Sequence, residues 1–188
     1  MRWNTANWRV WLFRGLVAIA AILMVRSFIM AWWSANIIPP GAVVSPGAIQ
    51  IYSYGLRHSL VQLREYIAAD ETPLYQTILA WIYLAASVGL ILFSTWLKGI
   101  KGRWLLGSIG LIYVIYAAVA VFVVIANRTA DFGISLQGWS TITVQGQTGS
   151  ILTSIKPAYY LAYAAGGMCI ALALLRNMII GKPRLDVR

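Results

Sequence analysis

Residues 73–97, PLYQTILAWIYLAASVGLILFSTWL, and residues 104–127, WLLGSIGLIYVIYAAVAVFVVIAN, carry no charged side chain. Only KGIKGR, residues 98–103, stands between them. Each run exceeds the ~20 apolar residues that cross a hydrocarbon core ~30 Å thick as a helix. The turn is too short to hold a domain, so the two spans are antiparallel neighbours. Lys98, Lys101 and Arg103 assign that turn to the cytoplasmic side, because short loops rich in lysine and arginine stay there. The rest of the chain is arranged around this hairpin.

On its N-terminal side an apolar run from Gly15 to Trp33 follows Arg2, Arg9 and Arg14. On its C-terminal side Pro157 opens another, closed by Arg176, Lys182 and Arg184. Four spans are therefore expected, at about 12–33, 73–97, 104–127 and 157–176. Segments 34–72 and 128–156 then lie outside the cell, and both termini are cytoplasmic. Trp11 and Trp32, ~31 Å apart along a helix, fall in the two interfacial aromatic belts. The fold class this predicts is an all-α integral membrane protein, multi-pass in the cell membrane, with residues 1–188 as one four-helix domain.

Composition agrees. A chain of 188 residues that is 60% hydrophobic and 11% charged lies outside the range of soluble domains. Its net charge of +10 is placed topologically. Arg2, Arg9, Arg14, Lys98, Lys101, Arg103, Arg176, Lys182, Arg184 and Arg188 all sit at expected inner helix ends. That distribution suits orientation and anionic lipid, and it excludes a nucleic-acid partner.

Both outer segments show a pattern. Pro39-Pro40-Gly41 and Pro46-Gly47 break the chain after the first span. Ile49, Tyr52, Leu56, Leu60, Leu63 and Ile67 then recur at helical spacing, predicting an outer amphipathic helix. Arg57, His58, Arg64 and Glu65 fall on its other side, with Thr72 as N-cap of the next span and Pro73 at its first position. In the second segment, Ile134, Leu136, Ile142 and Val144 alternate with polar residues. Gln145 to Gly149 reads as a turn and Ile151 to Ile155 as a return, giving a small outer β-hairpin.

The residues that are missing narrow the chemistry. All five acids, Glu65, Asp70, Glu71, Asp131 and Asp186, lie outside the spans, whereas ion-coupled carriers place such groups within them. One cysteine, Cys169, allows no intrachain disulfide, and one histidine, His58, allows neither a bis-histidine haem nor a zinc site of protein nitrogens and sulfurs. No metal and no cofactor are expected. The single alternative is His58 as lone axial ligand to a haem or pigment shared with another chain.

The contact candidates are Arg26, Arg57, His58, Arg64, Ala158, Ala162 and Gly166. Ala158, Ala162 and Gly166 recur every four residues and form a smooth face on which another helix can pack. Ala85 and Gly89, with Gly107 and Gly110, read instead as packing within the chain. Arg26 is the one charge well within an apolar run, with no acid in any span to neutralise it. It either snorkels toward the outer interface or meets a partner.

In layout the chain resembles the claudin-type tetraspans: four spans, a long first outer segment, a tight inner turn and outer β-structure. That family's Trp…Gly-Leu-Trp…Cys…Cys signature is echoed here by Gly55-Leu56 alone. The likeness is therefore one of layout, and no function is carried over from it. The expected function is that of a non-catalytic membrane protein, an accessory or assembly subunit whose partners are the lipid bilayer and other membrane subunits or itself. Two alternatives are a small homo-oligomeric channel or carrier, and a membrane enzyme acting on a lipid headgroup through Arg57, His58 and Arg64.

Overall fold

A computed structural model describes residues 5–38, 47–58, 72–97, 99–131, 133–144 and 147–180. Four helices dominate: α1 (Thr5–Ile29), α2 (Leu74–Phe93), α3 (Ile100–Asp131) and α4 (Pro157–Ile180). All four are long and apolar enough to cross a membrane, which makes the chain a multi-pass membrane protein. Strands β1 (Trp33–Ile38), β2 (Gly47–Tyr52), β3 (Gly55–His58), β4 (Gly138–Val144) and β5 (Gln147–Ile155) form one antiparallel sheet in the order β3-β2-β1-β5-β4.

The molecule is thus a helical bundle capped by a sheet rather than all-α. β1 lies at the centre, with Trp33 opposite both Ile51 of β2 and Ile155 of β5. Because β1 and β5 come from different inter-span segments, the two segments form a single layer. The expected hairpin is only one edge of it: β4 and β5 pair from Val144↔Gln147 to Gly138↔Thr153.

The amphipathic helix expected from residue 49 does not form over 47–58. That stretch is the β2–β3 hairpin, turned by Ser53-Tyr54. Ile49 and Ile51 alternate with Gln50 and Tyr52, so the same residues satisfy a period of two once β1 supplies hydrogen-bond partners. Gly55, at φ 146°, closes the turn where a Cβ would stand 2.8 Å from Thr72 Oγ1. Thr72 is accordingly no N-cap. Its hydroxyl accepts the Leu56 N–H at 3.0 Å, and α2 begins at Leu74. Leu60, Leu63 and Ile67 of the predicted stripe, with Arg64 and Glu65 of its other side, lie outside the described residues.

Helix ends also differ from the apolar runs. α1 stops at Ile29, and Trp32 is not a belt residue at all: it is 1% exposed. Its Nε1 donates to Ser27 O at 2.7 Å. Its ring meets Tyr113, Tyr116 and Tyr159 edge-on at centroid distances of 6.5, 5.8 and 6.1 Å. Its backbone bonds both neighbouring strands' ends, N–H to Ile51 O and C=O to Lys156 N–H, each at 2.8 Å. Trp32 is therefore the joint between bundle and sheet.

The bundle core is α1, α3 and α4. Gly110 and Gly166 bring α3 and α4 backbone to backbone, since a Cβ on Gly110 would lie 2.6 Å from Gly166 O. Ser27 Oγ of α1 donates to Ala158 O at 2.8 Å. α2 is peripheral and buries only Leu84, Ser87 and Ile91, one narrow stripe. Between α2 and α3 the chain reverses at Gly99, φ 67°. Beyond Val119, α3 passes through a π-helical segment, Ala120–Ile125.

Candidate functional site

The contact candidates separate into three places. Ala158 and Ala162 are fully covered and Gly166 sits against Gly110, so the small-residue face of α4 is consumed by α1 and α3. It is not open to a partner. The reason is geometric: a face smooth enough for another subunit is equally smooth for the chain's own helices, which are closer at hand.

The opposite holds for α2. Ala85 and Gly89, expected to pack within the chain, are exposed, and a Cβ on Gly89 would meet nothing within 4 Å. Ala85, Val88, Gly89 and Leu92 recur at helical spacing and share one face of α2. Val88 and Leu92 line a groove of about 470 Å³ whose other wall is α1, through Ala18, Ile22 and Val25. Arg26 stands in that wall and is exposed. Among the described residues, no acid lines the groove. Arg26 also lies in the last turn of α1, where a cation complements the negative end of the helix dipole.

Arg57 sits on β3 rather than on a helix. Its guanidinium lies over the rings of Tyr52 and Tyr54, 5.5 and 5.4 Å from their centroids. Burial pushes the Tyr54 phenol above its ordinary range, while the Arg57 charge pulls it back down. The helical face that joined Arg57 to His58 and Arg64 does not exist here: His58 ends β3 opposite Ile49, and Arg64 lies outside the described residues.

A cation that sequence reasoning treated only as an orienting charge has a structural position instead. Arg176 of α4 is 6% exposed. Nη1 donates to Ser94 O at 3.1 Å and Nη2 to Leu97 O, both at the C-terminal end of α2. Its guanidinium stands 5.4 Å from the Phe13 ring of α1. Nearby, Arg103 Nε donates to Ala173 O at 3.1 Å. The basic turn is thus clasped to α4. The one signal for this in the sequence is Gly102, whose Cβ would stand 2.8 Å from Arg176 Cζ.

No protein-family model matches the chain, and no curated protein is similar enough to count as a relative.

Proposed function

We propose that this protein is a non-catalytic subunit of a larger membrane assembly, and that the α1–α2 groove seats a helix of another subunit. The observation that supports this is Arg26. It is exposed on an apolar groove wall, with no acid lining the groove among the described residues. An arginine facing hydrocarbon costs ~2.5–3.5 kcal/mol at mid-membrane on insertion scales, less near the interface. A partner helix carrying a carboxylate at that depth offsets the cost through a bidentate pair. Ala85 and Gly89, exposed on α2 beside the lining residues Val88 and Leu92, allow close backbone approach, the condition under which helices associate in lipid. The turn between α2 and α3 and both chain ends belong in the cytoplasm on the positive-inside rule, with the sheet outside.

Purification in mild detergent followed by mass analysis of the co-purifying chains tests this. Foreign subunits are expected, and their yield falls at least ~5-fold, the equivalent of ~1 kcal/mol, in Arg26→Leu and in Gly89→Leu at unchanged expression. An unchanged yield in both variants would sink the groove reading. A closed ring of this chain alone would favour a homo-oligomeric channel instead.

A further inference from the structure

A second concavity lies at the sheet end of the bundle, between α2, α3 and the β2–β3 hairpin. Its volume is about 640 Å³. That falls within the ~300–1,000 Å³ of typical ligand sites. Trp32 and Ile51 line it from the joint, Gln76 and Ala80 from α2, and Ala120 and Val124 from α3. The α3 wall runs from Tyr116 into the segment Ala120–Ile125, where the helix adopts the π form. Such segments are rare and recur at functional sites, since they widen the helix at the expense of good hydrogen-bond geometry.

Two features specify what fits. Val119 and Val124 line the cavity and are 45% and 55% exposed, so its mouth opens sideways through the apolar flank of the bundle. On the hairpin side, Tyr52 and Tyr54 also line it, and these are the two rings that carry the exposed guanidinium of Arg57. Among the described residues, no acid lines the cavity. We infer that it holds an anionic phospholipid, with part of an acyl chain entering past Val119 and Val124 and the phosphate drawn to Arg57 at the rim. The apolar mouth admits a molecule arriving from the bilayer, and the cation, held by two aromatic rings, selects the headgroup charge.

The test uses the full chain reconstituted in vesicles of equimolar phosphatidylcholine and phosphatidylglycerol, then extracted gently and weighed intact with its retained lipid. Phosphatidylglycerol is expected to be retained over phosphatidylcholine by ~10-fold, as one charge-assisted contact provides. Arg57→Gln should bring the two lipids close to parity without emptying the site. Val124→Trp, at an exposed position that leaves the fold intact, should block the mouth and remove both. Arg26→Leu should change neither, which separates this site from the α1–α2 groove. Equal retention by the wild type, or full retention in Val124→Trp, would overturn the inference. So would displacement of the lipid by excess inorganic phosphate, since the site would then read a free anion.

Discussion

Arg176 of α4 donates Nη1–H to the carbonyl oxygen of Ser94 at 3.1 Å, so one helix supplies the cap for the C-terminal end of another. Helix C-termini leave carbonyls unpaired and carry negative dipole charge, and here an arginine from across the bundle meets both needs. The contact also explains Gly102, because any side chain there would occupy the space of the guanidinium.

Gly102→Ala should therefore cost ~1–3 kcal/mol of stability, the usual loss when buried polar groups are left unpaired. Arg176→Met should cost a similar amount. If both act through the same cap, the double variant loses less than the sum. Thermal unfolding in detergent reads all three, and additive losses would show that the two residues act separately.

Gly110→Ala should destabilise by ~1–3 kcal/mol, as overpacking does in a tight interface. Its Cβ would press on Gly166 O at 2.6 Å and Cys169 Cβ at 2.7 Å. Gly167→Ala is the control, with nothing within 4 Å of the added carbon. It should be neutral or gain up to ~1 kcal/mol of helix propensity. Equal effects at the two positions would contradict the close α3–α4 approach.

Two tryptophans that look alike in sequence should differ in mutational cost. Trp32→Ala removes the joint between bundle and sheet and should cost ~3–5 kcal/mol. Trp96, 64% exposed beyond the end of α2, should tolerate alanine within ~0.5 kcal/mol in detergent. A mild Trp32→Ala would show that the sheet does not depend on it.

Ser34 and Ser154 face each other across β1 and β5, their Oγ atoms 3.2 Å apart. Opposed residues on antiparallel strands have Cα atoms ~4.5–5.5 Å apart, within the range a disulfide spans. The double variant Ser34→Cys/Ser154→Cys should oxidise readily, against a background of one buried thiol, Cys169. Tryptic cleavage at the turn between α2 and α3 should then leave the two halves joined until reductant is added. Halves that separate under oxidising conditions would disprove the shared sheet.

Cysteine at Thr141, exposed on β4, should react with an impermeant thiol reagent on intact cells, while cysteine at Gly99 should not. Ser53→Cys should stay silent on either side, because residue 53 is buried and its Oγ is bonded to Phe28 O at 2.8 Å. Labelling at Gly99 alone would invert the proposed orientation.

Local order carried the membrane architecture. Runs such as Pro73–Leu97 and Trp104–Asn127 declare spans because hydrocarbon leaves a chain few ways to satisfy its backbone, so length and apolarity suffice. The β-structure between the spans was half legible: alternation at 142–144 is a period-two signal. Residues 49–58 were not, since Ile49 fits a helical stripe with Tyr52 and Leu56 and equally a strand face with Ile51, and only pairing with β1 decides between them.

The candidate contact sites depended on the tertiary structure almost entirely. A small-residue motif marks a surface where helices approach, but not which helix arrives. Ala158, Ala162 and Gly166 went to the chain's own core, while Ala85 and Gly89 were left facing out. Charge behaves the same way. Arg26, conspicuous in an apolar run, is exposed on a groove, whereas Arg176, inconspicuous at a helix end, is buried among three helices. Hydropathy along the chain is a sum over neighbours in sequence, so it sets how many helices cross the bilayer. Which residues cover one another depends on neighbours in space, and those exist only once α1, α3 and α4 have packed and the two inter-span segments have joined through β1 and β5.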